Sequence, residues 1–160
     1  MTPAVLAYVE SLHLSGRCLD VGALDVNGCP RHLFTDYTGV DLRSGPNVDV
    51  VAPAAFLPWP GASFDTVLCL EMLEHCEDPF AAVAEMGRVL RPGGRLVATV
   101  PSIGFHRHAY PRDYWRMTAD GLAVLLGRVG PAEAFEDRDH SYCCAVKPVS
   151  TAGEPAERVP

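Results

Sequence analysis

Lysine is almost missing from this chain: Lys147 is the single lysine among 13 basic residues, which face 20 acidic ones for a formal charge of −7. Attraction to a phosphate backbone rests on lysine and arginine, so a general nucleic-acid coat protein is not expected. Long apolar runs are also lacking. Stretches such as Ala81 to Val83 or Leu96 to Val100 fall far short of the ~20 residues that cross a bilayer. The first dozen residues carry no basic cluster followed by an apolar segment and a small-residue cleavage site, so no signal peptide is expected. A cytoplasmic protein without membrane contact is the resulting expectation. Six cysteines (Cys18, Cys29, Cys69, Cys76, Cys143, Cys144) never take C-x-x-C spacing, and most lie in apolar strand-like runs. They are expected as buried, reduced thiols rather than a disulfide framework. A zinc site built from His106, His108 and Cys76 lacks a recognised ligand spacing, so no metal centre is expected.

What is there fits one domain. A chain of 160 residues buries roughly 68–70% of the surface its unfolded form exposes, enough for a single core. Apolar periods switch repeatedly between 2 and 3.6, which predicts alternating strands and helices and an α/β sheet. Helices are expected at Pro3 to Leu12, entered through Thr2; at Pro79 to Leu90, capped by Asp78 and stopped by Pro92, Gly93 and Gly94; and at Ala119 to Leu126, capped by Thr118. The second of these carries an apolar stripe Phe80, Val83, Met86 or Gly87, Leu90. Strands are expected at Cys18 to Val21, Tyr37 to Val40, Val48 to Val51, Phe64 to Leu70 and Arg95 to Val100, followed by a hairpin of Ala132 to Glu136 and Tyr142 to Val146 around Asp137 to His140. The domain spans residues 1–148, and residues 149–160, rich in Pro, Ala and Glu, are expected as a disordered tail.

The turn after the first strand is the first informative site. Gly22 stands just past the end of a central strand, where an open α/β sheet binds ligands and where a glycine lets a ligand approach the backbone. The G-x-G-x-x-G fingerprint is absent, because Leu24 and Asn27 occupy its second and third glycine positions, which argues against a nicotinamide dinucleotide. Asp41, twenty-one residues after Asp20 at the end of the second strand, suits two ribose hydroxyls as a bidentate acceptor. An adenosine ligand fits that pair.

With these motifs in order, the chain resembles the class I S-adenosylmethionine-dependent methyltransferases of the type 11 group. The matching pieces are Asp20 and Gly22 after strand one, Asp41 after strand two, the approach Leu57-Pro58-Trp59-Pro60-Gly61-Ala62-Ser63-Phe64-Asp65, the segment Glu71-Met72-Leu73-Glu74-His75, and Arg88-Val89-Leu90-Arg91-Pro92-Gly93-Gly94. They cover about residues 15–148. The resemblance implies a Rossmann-like three-layer sandwich with a seven-stranded, mostly parallel sheet of order 3-2-1-4-5-7-6, strand seven antiparallel. It implies S-adenosylmethionine as cofactor, S-adenosylhomocysteine as product, and cofactor contacts from Asp20, Gly22, Ala23, Asp25, Asn27, Asp41, Leu42, Ala54 and Glu71. Two departures stand out: Gly22 to Gly28 replaces the usual G-x-G turn, and Pro53 stands where many relatives have an aspartate toward adenine, so backbone around Ala54 takes that role.

Methyl transfer from a sulfonium is an in-line displacement that needs positioning and, where necessary, proton removal. His75 is the leading candidate base, since neutral imidazole suits that task near pH 7 and the resemblance puts this position beside the methyl group. His106 and Asp113 are the further catalytic candidates, from a set that also contains Glu71, Glu74, His108 and Tyr114. The aromatic and basic loop from Ser102 to Met117 suits a sugar, a base or another polar ring; the alternative, favoured for Trp115, is that Tyr114 and Trp115 anchor the loop on the core while Arg116 pairs with Asp113 or Glu71. Only about sixteen residues precede strand one, an arrangement expected to leave the cleft open. The acceptor is expected to be a small molecule or glycan rather than nucleic acid, with a homodimer left open. A catalytically silent adenosyl-ligand-binding subunit acting with a partner, and an α/β protein for another nucleotide, are the competing readings.

Overall fold

The structure is a computed structural model and describes residues 1–25, 28–108 and 112–149. Its elements are α1 (Pro3–Ser11), β1 (Arg17–Val21), β2 (Asp36–Asp41), β3 (Val50–Val51), β4 (Phe64–Leu70), α2 (Pro79–Val89), β5 (Leu90–Pro101), α3 (Ala119–Leu126), β6 (Ala132–Glu136) and β7 (His140–Val146). The seven strands form one sheet in the order β3-β2-β1-β4-β5-β7-β6. Strands β1 to β5 pair in parallel, and β7 runs antiparallel to both β5 and β6. The expected topology is therefore the observed one. Its order reverses between β1 and β4, which opens a crevice at their carboxyl ends.

Strand alternation builds the layers. Leu19, Val67, Cys69, Leu96 and Ala98 face one side, against Ala82, Val83, Met86 and Val89 of α2 and Leu122, Leu125 and Leu126 of α3. Their neighbours Cys18, Leu68 and Val97 face the other side, against Val9 of α1 with Tyr8, Leu33, Phe34 and Tyr37 around it. The three helix entries work as the sequence indicates: Thr2 accepts from Val5 N (3.3 Å), Asp78 from Ala81 N (3.0 Å) and Thr118 from Gly121 N (3.1 Å).

Several boundaries move, each for a local reason. On α2 the buried stripe is Ala82, Val83, Met86 and Val89, whereas Phe80 is 51% exposed, so the expected Phe80-led stripe is rotated by part of a turn. Strand β5 begins at Leu90 rather than Arg95, because Leu90 pairs with Phe64 and the register shifts between Phe64 and Thr66. Pro92, Gly93 and Gly94 are thus an irregularity inside the strand instead of a stop before it. Strand β3 shrinks to two residues, since Val48 N turns back to Gly45 O (3.2 Å). His140, expected in the hairpin turn, opens β7 opposite Pro101. All six cysteines are free, with Cys18, Cys69 and Cys143 buried. Among the described residues no helix is long and apolar enough to cross a membrane.

Candidate functional site

At the carboxyl ends of β1, β2 and β4 lies a cleft of about 820 Å³, lined by Asp20, Gly22, Ala23, Leu24, Asp41, Leu42, Ala52 to Ala55, Glu71, His75 and His108, among others. The volume falls in the usual range of small-ligand sites. Most of the cofactor contacts expected from sequence converge here. Asp25 does not: its carboxylate accepts from Gly28 N (2.6 Å) and closes its own turn, and it is not among the cleft residues. Asn27 lies outside the described residues.

The floor is a buried polar network. Tyr37 donates its hydroxyl to the Asp20 carboxylate, and Asn47 Nδ2 donates both to that hydroxyl oxygen (2.8 Å) and to Ala23 O (2.9 Å). Asp20 is therefore held between strand and turn, and full burial pushes its pKa up to about 6, with the Tyr37 hydrogen bond opposing. An unfolded aspartate titrates near ~3.9. Between these values the folded protein keeps the proton that the unfolded chain has lost, so stability falls as pH rises from about 4 to about 6 and is flat above. Asp20→Asn is expected to remove that slope, worth about 2–3 kcal/mol, in urea unfolding series across this pH range.

The turn itself needs glycine. Gly22 has φ +87°, and a Cβ there would meet Met72 Cγ at 2.4 Å and Cβ at 2.6 Å. Gly22→Ala is expected to cost about 1–3 kcal/mol, combining left-handed strain with overpacking, as read by denaturant midpoint. Asp41 is tied to the same turn: Oδ2 accepts from Leu24 N (3.3 Å) and Oδ1 from Arg43 N (3.1 Å). Each oxygen keeps lone-pair capacity for a further donor in the cleft.

The other end of the cleft is a set of carboxylates and imidazoles. Glu71, at the end of β4, holds a left-handed φ of 54°, a strain that concentrates at functional positions. Burial raises its pKa and His140 opposes, His140 Nε2 standing 3.5 Å from Glu71 Oε2. His140 is not among the cleft residues but is a partner of Glu71 that sequence reasoning missed; nothing local marks it, because its meeting with Glu71 depends on β7 pairing beside β5. Glu74 and His75 occupy a single 3-10 turn, Leu73–His75, after β4. The Glu74 side chain is 0% exposed, and burial lifts its pKa well above the ordinary carboxylate range. His75 Nδ1 pairs with the Arg112 carbonyl oxygen. His108 rests edge-on to His75 at 5.1 Å between ring centroids, and burial together with His75 lowers its pKa.

The loop after β5 divides the remaining candidates. The Asp113 side chain is 2% exposed and paired with Arg116, and that guanidinium holds its pKa down at about 2. It also accepts from His108 N (2.8 Å), so it stands behind His108 as a positioning group, not as a base facing the cleft. His106 stacks on Phe105 and is not among the cleft residues. Among the described residues the potential metal ligands that cluster are Glu74, His75 and His108, so the three-ligand set of His106, His108 and Cys76 does not assemble. Tyr114 N donates to Glu74 O (2.8 Å) and Trp115 Nε1 to Cys76 O (2.7 Å), which sew this loop onto the 3-10 turn. Both rings remain 39% exposed.

Residues 19–98 match the family described as methyltransferase domain. A ubiquinone biosynthesis O-methyltransferase of Burkholderia multivorans is 35% identical across an alignment covering 96% of this chain and 68% of that protein. Another, from Idiomarina loihiensis, is 44% identical over 60% of this chain and 48% of that protein. The solved structure of the 1,6-didemethyltoxoflavin-N1-methyltransferase of Burkholderia thailandensis, with bound 1,6-didemethyltoxoflavin and S-adenosylhomocysteine, superposes with a TM-score of 0.71 at 23% identity, covering 92% of this chain and 78% of that one. At that identity the likeness is one of fold. The chain spans about half or less of the length of several curated relatives it matches. With half of its residues matched by one family and a relative aligned along almost all of it, this chain belongs to the methyltransferase-domain family.

Proposed function

We propose that the chain binds S-adenosylmethionine in the crevice between β1 and β4 and transfers its methyl group to an oxygen, nitrogen or carbon nucleophile of a small-molecule or glycan acceptor. The observation that carries this reading is the convergence of Asp20, Gly22, Asp41, Ala54, Glu71 and His75 on one cleft. In it Asp41 accepts from the ribose hydroxyls, the turn at Gly22 and Ala23 admits the amino-acid part, backbone near Ala54 meets the adenine, and Glu71 faces the sulfonium end. His75 is the group through which the acceptor is activated, with His108 beside it and Asp113 behind. The exposed Tyr114 ring, which lines the cleft, supports an acceptor with a flat or sugar-like face.

Calorimetric titration with S-adenosylmethionine, S-adenosylhomocysteine and a nicotinamide dinucleotide tests the cofactor. Binding of the two adenosyl ligands and not of the dinucleotide is expected; preference for the dinucleotide would sink the reading. Transfer of labelled methyl to a panel of sugars, small metabolites and polymers then identifies the acceptor. Cofactor binding with no transfer to any acceptor until a second protein is added would favour the silent-subunit alternative.

A further inference from the structure

We propose that Glu74, His75 and His108 form a site for one divalent transition-metal ion of the zinc class at the acceptor end of the cleft. Their ligand atoms lie within 4.8 Å of one another. Glu74 is fully buried, and neither of its carboxylate oxygens has a hydrogen-bond partner. A buried carboxylate without partners is costly, and what faces this one is two imidazole nitrogens: His75 Nε2 at 3.6 Å and His108 Nε2 at 3.7 Å from the same Oε1. Those separations exceed a hydrogen bond. Around a tetrahedral ion with bonds of ~2.0–2.1 Å, neighbouring donor atoms sit roughly 3.3 Å apart, so the two Glu74–imidazole separations need only a few tenths of an ångström of contraction, and the two imidazole nitrogens, within 4.8 Å of each other, draw together by side-chain rotation.

The outer partners point the same way. With His75 Nδ1 paired to the Arg112 carbonyl, the proton sits on Nδ1 and the Nε2 lone pair is free for a metal. His108 Nδ1 lies 3.8 Å from Asp113 Oδ2, an outer carboxylate in the position that commonly orients a metal-bound imidazole. Hydrogen bonds hold the two legs of the site together: Tyr114 N donates to Glu74 O, and His108 N to Asp113 Oδ2 (2.8 Å). Two nitrogens and one carboxylate suit zinc, iron, cobalt or nickel, whereas magnesium and calcium favour all-oxygen surroundings.

His75 and His108 both line the cleft, and coordination positions not taken by protein open into it. There the ion takes a hydroxyl oxygen of the acceptor, which narrows the acceptor class to alcohols, phenols and sugar hydroxyls. The hydroxyl loses its proton to solvent, its oxygen forms the new bond to the methyl carbon, and the electrons of the breaking carbon–sulfur bond return to sulfur. This assignment of the acceptor rests on the methyl-transfer reading; occupancy of the site by an ion does not.

The test uses the full chain stripped with chelator. Zn²⁺ is titrated in competition with a chromophoric chelator, and Co²⁺ is followed by its visible absorption. One equivalent of either ion is expected to bind, with His108→Ala weakening it on the order of 10²-fold and His32→Ala, on the exposed surface, leaving it unchanged. Glu74→Gln is expected to do the same as His108→Ala; because Glu74 is buried, the half-exposed His108 position supplies the variant that keeps its fold, verified by thermal unfolding and S-adenosylhomocysteine binding. Absence of Zn²⁺ and Co²⁺ binding, or equal affinity in His108→Ala, overturns the site. Full methyl transfer by metal-free protein that is still lost in His75→Ala overturns the ion's part in acceptor activation and the narrowing to hydroxyl acceptors, and leaves the methyltransferase reading standing, with free imidazole as the base. Ion binding without any adenosyl-ligand binding would keep the site and remove that reading instead.

Discussion

His75→Ala is expected to leave S-adenosylmethionine affinity nearly intact while lowering methyl transfer about 10²–10⁴-fold, the usual contribution of a positioned catalytic group. The separation follows from where the side chain sits. His75 lines the cleft from the 3-10 turn after β4, at the end holding Glu71 and His108, while Asp41 and Gly22 hold the opposite end. A parallel outcome distinguishes a purely structural role. If the Arg112 carbonyl pairing of Nδ1 only fastens the loop, His75→Ala lowers the unfolding temperature, and turnover falls no further than the folded fraction does. Calorimetry, thermal unfolding and labelled-methyl transfer on one preparation read all three quantities. Full activity in a normally folded His75→Ala protein would reject this role and move it to His108.

Asp41→Ala is expected to weaken cofactor binding by roughly 10- to 150-fold, the equivalent of losing charge-assisted hydrogen bonds worth about 1.5–3 kcal/mol. The effect on folding is expected to be smaller, because Asp41 is only half-buried and its internal partners are two backbone amides, Leu24 N and Arg43 N. Part of the affinity loss arises through the first of these, which ties the ribose end of the cleft to the turn following Gly22. Asp41→Asn keeps the shape and one acceptor oxygen, so its loss is expected to be intermediate. An unchanged dissociation constant for S-adenosylhomocysteine in Asp41→Ala would remove the ribose assignment.

Layer membership was legible in the sequence because it follows from short-range period. Alternation through Cys18 to Val21 and Phe64 to Leu70 assigns each residue to a sheet face, and Thr2, Asp78 and Thr118 mark helix starts through hydrogen bonds to their own first turns. Sheet order came with the family resemblance, and with it the cofactor end of the cleft, since Gly22 and Asp41 sit at strand ends that the sheet brings side by side. Strand and helix boundaries were less legible. Leu90 joins β5 because Phe64 pairs with it, and Phe80 turns outward because Ala82, Val83, Met86 and Val89 take the buried face; both are decided by a neighbouring element.

At the end of β4 the sequence named Glu71 and His75 singly, and only the tertiary structure brought His140 and His108 to them. His75 and His108 are 33 residues apart and Glu71 and His140 are 69 apart, yet each pair meets at the end of β4. The sequence marked the 102–117 loop as rich in reactive side chains and put His106 and Asp113 ahead of His108. Packing then set His106 against Phe105, Asp113 against Arg116, and His108 against Glu74 and His75. Residue type and spacing report what a side chain is able to do. Whether it faces ligand, a guanidinium or another ring is set by contacts distant in sequence, whose geometry exists only once β4, β5 and β7 lie together in the sheet.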